Sequence, residues 1–192
     1  MANLVQNVLA GKPLATGGVL SGPVGSPLPT DVAAAVDPTI TGVGYISEDG
    51  VSMSVGRDTD KIKAWGGDVV KIVQSEHSVT LEYSMIESAR EEVNREVYGE
   101  PNVVATAASA SAGKQLTVRL TADQLPHRVR VFEIKDGDAR IRLVAPRCQI
   151  TELGDVAFQD AEVIAYQVTV ECFPDESGAK LYIYSDDGVK TS

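Results

Sequence analysis

The sequence predicts a mainly β fold: an antiparallel β-sandwich or barrel with one flanking amphipathic α-helix and an extended N-terminal arm. Three observations predict it. From Ile40 onwards, short segments rich in Val, Ile, Thr and Tyr are separated by turn residues. A single segment, at about 86–98, changes to helical spacing of its apolar residues. Residues 1–38 hold five of the nine prolines and show no pattern of a packed domain.

The bulk composition restricts the classes of protein. A chain of 192 residues, 43% hydrophobic and 23% charged, is suited to one domain with an extension and can bury a core without disulfides or metals. Its net charge of −10 repels phosphate, which disfavours tight nucleic-acid binding, although an acidic surface can also serve solubility alone. No apolar run approaches the ~20 residues of a membrane span, and we expect neither membrane insertion nor a secretory signal. We therefore expect synthesis in a cytosol.

The N-terminal arm, residues 1–38, is apolar but not patterned like a core. Up to Pro29 its only charged side chain is Lys12. Disordered tails are usually polar and charged, so an arm of this composition is expected to lie on a surface, most simply that of a neighbouring subunit. Its candidate self-assembly residues are Leu4, Val5, Val8 and Leu9. Residues 39–192 form the predicted β domain.

Strict alternation identifies the strands of that domain most clearly at 79–85, 116–120 and 164–172. Further strands are predicted at 51–57, 68–75, 128–134, 139–144, 149–153 and 180–184. Turns are predicted where glycine or acidic residues cluster, at 48–50, 66–67, 136–138 and 176–178. Together these segments predict an antiparallel sheet with one face in the core.

The helix predicted at 86–98 rests on apolar residues at helical spacing, Ile86, Ala89, Val93 and Val97. Ser84 and Glu87 match a capping box, and Gly99 followed by Pro101 predicts the end of the helix. The small, polar residues 105–113 that follow are interpreted as a loop.

The titratable residues do not suggest chemistry. His77 and His127 have no second His or Cys at ligand spacing, and Cys148 and Cys172 are interpreted as buried apolar side chains. No nucleophile elbow, phosphate loop or dinucleotide fingerprint is present. The acidic pairs 91–92 and 186–187 are interpreted as solvated charges. We therefore expect no enzymatic activity, no metal and no cofactor.

Five arginines concentrate in one region, and we interpret them as lying on the solvent-exposed face of a sheet. Phosphate or an acidic neighbouring subunit could also contact them. They are Arg128, Arg130, Arg140, Arg142 and Arg147. The only tryptophan, Trp65, lies in a charged, glycine-containing segment at 57–68, which we predict to be a loop. Trp65 either packs on its own core or anchors an interface, with Lys61 and Lys63 beside it.

Residues 44–51 (GYISEDGV), 59–68 (TDKIKAWGGD), 76–80 (EHSVT) and the helical segment 87–98 together resemble the major tail proteins of siphophages infecting actinobacteria. Residues 140–153 and 161–173 fit the same family, so the resemblance covers about 30–185; the arm matches only in length and composition. It implies a tail-tube β-sandwich that assembles as hexameric rings into a hollow tube for phage DNA. Implied partners are further copies of the chain and the tape measure, terminator and baseplate proteins at the tube ends. The implied location is the virion tail, after assembly in the host cytoplasm.

An acidic lumen, which the resemblance implies, favours strand faces without fixed cations, because lysine or arginine would hold DNA by its phosphates. The lumen-facing candidates are therefore Thr80, Glu82, Gln167, Thr169 and Glu171. Two alternatives are another ring-forming virion protein, such as a terminator or a secretion-type tube, and a non-viral β-sandwich binding module. A carbohydrate-binding module would usually present several exposed aromatics, whereas aromatic residues are 5% of this chain.

Overall fold

The computed structural model describes residues 8–14 and 18–190. Along these residues the chain forms eleven strands, one α-helix and a short 3-10 helix. In order they are β1 (Lys12–Pro13), β2 (Val19–Pro23), β3 (Thr41–Gly42), β4 (Ile46–Lys63), β5 (Val69–Met85), α1 (Glu91–Tyr98), the 3-10 helix (Glu100–Asn102), β6 (Val103–Thr106), β7 (Gln115–Val118), β8 (Arg128–Asp136), β9 (Ala139–Leu153), β10 (Tyr166–Cys172) and β11 (Tyr182–Asp186).

Nine of these strands form one antiparallel sheet. Seven of them lie side by side in the order β3-β2-β8-β9-β10-β5-β4. At its margins β1 pairs with β8 and β11 pairs with β9, while β6 and β7 form a separate two-stranded sheet. The prediction of a mainly β, antiparallel fold with one flanking helix is confirmed.

The large sheet folds over on itself. The rings of Tyr83 in β5 and Phe132 in β8 lie 5.6 Å apart, although β9 and β10 stand between their strands in the sheet. Neighbouring strands are about 4.8 Å apart, so a flat sheet would separate these strands by roughly 14 Å. The enclosed space is the main core, where Leu81, Val168 and Val170 are fully buried.

A second, smaller core lies on the other face of β8 and β9. Val129, Val131 and Val144 pack there beneath residues 28–40, and the Arg142 guanidinium donates hydrogen bonds to the backbone oxygens of Asp31 (2.5 Å) and Ala34 (2.7 Å). Strand β2 pairs with β8 throughout its length. Much of the apolar N-terminal region is therefore integral to the folded body, in contrast to the expectation that it shows no packed pattern.

The helix is shorter than the sequence predicts. Residues 86–90 are not helical, because the Ile86 amide donates to the Tyr45 backbone oxygen and the Glu87 carboxylate accepts from the Tyr45 amide at 2.8 Å. Ser84 remains in β5, so the predicted capping box is wrong. The predicted end is confirmed at Gly99, which has a positive φ of 89°.

Two predicted turns or loops are strand instead. Residues 57–68 are predicted as a loop, but β4 continues to Lys63 and the reversal is confined to a tight turn at 64–68. Residues 48–50 form a bulge within β4, between the pairs Ile46–Met85 and Val51–Tyr83. Residues 57–63 are extended because the β4–β5 ladder supplies their backbone hydrogen bonds, whereas residues 48–50 have no partner in that ladder and bulge out between its pairs.

The prediction that the arginines lie on a solvent-exposed sheet face is wrong for Arg130 and Arg142, which are buried. Arg130 is 1% exposed; its guanidinium donates to the Tyr83 hydroxyl (2.9 Å) and pairs with Glu96 of α1 (2.9 Å). Burial acts to lower the pKa of Arg130, yet its neighbours raise it above the ordinary arginine value. Burial also raises the pKa of Tyr83 to about 12, so Glu96 is the anion that balances this charge at neutral pH.

Candidate assembly surface

A long β-hairpin extends from the folded body. The last residue of β5 that pairs with β10 is Thr80, opposite Glu171. From Val79 to Val69, β5 pairs only with β4, and no third strand lies beside this hairpin in the described parts of the chain. At ~3.3 Å per residue the hairpin projects about 30 Å beyond the sheet.

The hairpin exposes an unusual amount of apolar surface. Strands β4 and β5 with their turn carry eight of the 18 exposed large apolar side chains among the described residues, and all but Met53 lie in the hairpin, where Trp65 at the tip is fully exposed. These eight are Met53, Val55, Ile62, Trp65, Val69, Val70, Ile72 and Val73. An isolated two-stranded hairpin is marginally stable, and concentrated apolar exposure usually marks an interaction surface. The hairpin is therefore a candidate interface.

The two faces of the hairpin differ in charge. Alternation from the core residue Val51 places Arg57, Lys61 and Lys63 on the face that continues the core, together with the exposed Met53 and Val55. The opposite face carries carboxylates and hydroxyls over most of its length. These are Ser52, Ser54, Asp58, Asp60, Glu76, Ser78, Thr80 and Glu82. The opposite face is therefore acidic from Ser52 to Asp60, whereas near the tip it also carries Ile62, Lys71 and Val73.

Strand register brings the five lumen-facing candidates together on this acidic face. Thr169 stands opposite Glu82, Glu171 opposite Thr80, and the Gln167 amide contacts the Glu82 carboxylate. The same ladder also adds Glu152, opposite Thr169. One nearby cation belongs to Lys180, whose Nζ is 4.0 Å from the Glu171 carboxylate.

The strands that carry this face have unpaired edges. In the run β9-β10-β5-β4, strand β4 is terminal, and β9 pairs with β8 only as far as Cys148. Along Gln149–Leu153, β9 therefore has β10 on one side and no strand on the other in the described residues. Unpaired strand edges present backbone donors and acceptors that can template pairing with another chain.

The predicted assembly residues of the arm are partly described. Val8 and Leu9 are exposed, and the next residue, Ala10, donates its amide to the Asp136 carboxylate at 2.7 Å, which ties the segment to the end of β8. Strand β1 then pairs with Lys135 and Ile134. Leu4 and Val5 lie outside the described residues.

The titratable residues form no metal cluster in residues 8–14 and 18–190, where no three His, Cys, Asp or Glu side chains could hold an ion together. Cys148 and Cys172 are buried free thiols, as predicted, and stand opposite each other in β9 and β10. His127 packs edge-on against Phe173, and burial lowers its pKa. In the described chain no helix is long and apolar enough to cross a membrane.

Sequence comparison identifies a family over most of the chain. A family model described as "Phage tail tube protein" matches residues 7–191. No curated protein matches the chain significantly in sequence.

Two solved structures are similar to the chain along its length. One is a chain of an extracellular contractile injection system sheath–tube complex in the extended state, with 8% identity and a TM-score of 0.48; the alignment covers 96% of this chain and 100% of that one. The other is a chain of the anti-feeding prophage tube-terminating cap, with 10% identity, a TM-score of 0.43, and coverage of 97% and 100%.

Proposed function

The chain belongs to the phage tail tube protein family, whose members are structural, non-enzymatic parts of the virion, and from this we propose that it polymerises as stacked hexameric rings into the hollow tail tube. In this proposal phage DNA passes through the tube during ejection. The subunits assemble in the host cytoplasm, and tape measure, terminator and baseplate proteins meet the tube ends. The sequence resemblance further supports a siphophage infecting an actinobacterium.

The observation that carries the proposal is the open four-stranded run β9-β10-β5-β4. Its two edges, β4 on one side and Gln149–Leu153 of β9 on the other, are both unpaired in the described residues. Pairing the β4 edge of one copy with the β9 edge of the next would satisfy the backbone groups on both. Repetition around a ring would close this four-stranded run into a continuous barrel and leave neither of its two edges unpaired.

We assign the acidic face of this run to the lumen. Glu82 and Glu171 lie on it, and the buried Leu81 and Val170 lie on the other side. Carboxylates and hydroxyls repel or only weakly contact phosphate, so DNA would move past them without being retained. The apolar, basic face of the hairpin and the exposed Val8 and Leu9 are then available for contacts between copies.

Electron microscopy of the purified protein tests this function. We expect hollow filaments many rings long, with sixfold symmetry in end-on views. Isolated rings that never elongate would instead favour a tail terminator. A protein that remains monomeric at high concentration, in the absence and presence of tail-end proteins, would contradict the tube assignment.

A further inference from the structure

Paired cysteines lie in the main core. Cys148 in β9 and Cys172 in β10 are the two cysteines of the chain, and both are free, fully buried thiols. The strand register sets them directly opposite each other. Opposite residues of an antiparallel pair project from the same face of the sheet, so the two sulfur atoms enter the same part of the core.

The backbone hydrogen bonds place this pair at a position where a disulfide fits. The Phe173 amide donates to the Arg147 backbone oxygen at 2.8 Å, one residue beyond the pair on each strand. This bond identifies Cys148 and Cys172 as a non-hydrogen-bonded pair, the type in which opposite Cα atoms are closest, at about 4.5 Å. Disulfides span Cα separations of about 4.4–6.8 Å, so an S–S bond needs little movement of either strand.

The present contacts of the Cys148 sulfur are compatible with an S–S bond. Its thiol donates to the Arg128 backbone oxygen at 3.1 Å and accepts from the Arg130 guanidinium at 3.3 Å. Thiols are weak donors, so loss of the first contact costs little. The second contact can persist, because oxidation removes the thiol hydrogen and leaves the sulfur lone pairs in place.

Burial limits how these thiols react. It raises the pKa of both, to about 12 for Cys172, although the nearby Arg130 acts to lower them. Both thiols are therefore protonated at neutral pH, and since the thiolate is the reactive form, the folded chain should be oxidised slowly. A bulky alkylating reagent cannot enter this core, whereas molecular oxygen is small and apolar.

From this placement we propose that Cys148 and Cys172 are a modification site, at which a cross-strand disulfide forms with molecular oxygen as the oxidant. One S–S bond replaces two S–H bonds, and oxygen takes up the two hydrogens with their two electrons and leaves as hydrogen peroxide. Thiol reductants of a cytosol prevent this step during folding and assembly. Its timing rests on the proposed function, since a released virion leaves that cytosol; the S–S bond itself requires no assembly.

The cross-link would act on the sheet that is proposed to line the bore. It joins β9 to β10, two strands of the run β9-β10-β5-β4, and closes the connection that contains the 154–165 segment. Closing a loop of about 25 residues restricts the unfolded chain, and for a protein of this size it should raise the Tm by about 6 °C or more. The oxidised subunit should therefore be more stable outside the cell than during assembly.

Thiol counting in the full-length protein tests the site. Protein purified with a reductant is divided, and one half is exposed to oxygen with copper(II) as a catalyst. After denaturation and alkylation, the reduced half should carry two labels per chain, whereas the oxidised half should carry none and should yield one peptide pair linked through residues 148 and 172. The oxidised chain should remain unlinked to other chains in a denaturing gel, keep its β signal in circular dichroism, and show the higher Tm.

The variant Cys172→Ala is the matched control, because it removes one sulfur and leaves Cys148 in place. Its Tm should be the same in oxygen and in reductant. The unmodified protein is also refolded from denaturant in oxygen, so that the oxidant reaches both thiols. Two alkylated thiols after this refolding, or an S–S bond accompanied by loss of the β signal, would overturn the inference. Electron microscopy of the same samples addresses assembly separately, since a lack of tubes would count against the proposed function alone.

Discussion

Replacing Glu96 by glutamine should destabilise the unassembled subunit far more than the same replacement at Glu92, four residues earlier in the same helix. Glu96 is 8% exposed and receives the guanidinium of the fully buried Arg130 at 2.9 Å, with Arg128 at 3.3 Å. Glu92 is 61% exposed and pairs with Arg90 at the surface. Both substitutions remove one negative charge from α1, so Glu92→Gln is a matched control.

The magnitude follows from what each substitution leaves behind. Glu96→Gln leaves the Arg130 charge buried without an anion, and removing one partner of a buried pair commonly costs about 3 kcal/mol or more. An exposed pair contributes less than ~1 kcal/mol. For a chain of this size, 3 kcal/mol corresponds to a fall in Tm of about 6 °C or more.

Chemical denaturation of the monomer at neutral pH, with Tm measured in parallel, gives both free energies of unfolding. Equal losses for the two variants would refute the reasoning and would mean that water reaches Arg130 in the folded subunit. A loss confined to Glu96→Gln would support α1 being attached to the sheet through this ion pair as well as through Val93 and Val97.

The remaining predictions concern assembly. Trp65→Ala should raise the critical concentration for polymerisation by about 30-fold, corresponding to ~2 kcal/mol, and leave the Tm of the monomer unchanged because the side chain is fully exposed; pelleting and thermal melts measure the two, and a lower monomer Tm would place Trp65 in its own core. Glu82→Lys with Glu171→Lys should leave tubes intact but make them bind DNA at low salt, with binding lost as salt rises. Variant tubes that do not bind DNA at low salt would contradict the assignment of this face to the lumen. Deleting residues 1–10 should preserve the β signal in circular dichroism yet prevent tubes, whereas deleting 1–38 should unfold the domain because it removes β2; normal tubes from the shorter deletion would show that its residues are dispensable.

The strands at the body were predictable because one of their faces is buried. In β10 and the end of β5, burial of Val168, Val170 and Leu81 on one side and solvent on the other produces strict alternation in the sequence. In the hairpin, strands were predicted at 51–57 and 68–75, but the continuation of β4 to Lys63 was not. Solvent covers both of its faces, and near the tip charged and apolar residues occur on either side, so this part of the ladder leaves no periodic pattern.

Contacts between residues that are distant in sequence could not be predicted from local sequence patterns. Arg130 alternates with valines in the sequence and therefore resembles a solvent-exposed strand residue. It can be buried because it pairs with Glu96, which is 34 residues away in the sequence. Likewise Tyr45, 42 residues away, holds Glu87 out of the predicted cap. For the candidate lumen, alternation in the sequence predicted which side of each strand is polar. Only the register of the structure, in which Thr169 pairs with Glu82, shows that the polar residues of both strands lie on one face.

Within residues 8–14 and 18–190 no third strand lies beside the hairpin, and this has a kinetic consequence. Fixing a residue's backbone costs about 1–2 kcal/mol, and the exposed residues from Val69 to Glu76 have few tertiary contacts in the monomer to offset it. Two free subunits that meet must both order their hairpins, whereas a subunit that joins an existing tube end meets a partner that is already ordered. We therefore expect nucleation to be slow and elongation fast, with a lag in light scattering that short preformed tubes abolish. Growth without a lag at any concentration would show that the hairpin is already rigid in the free subunit.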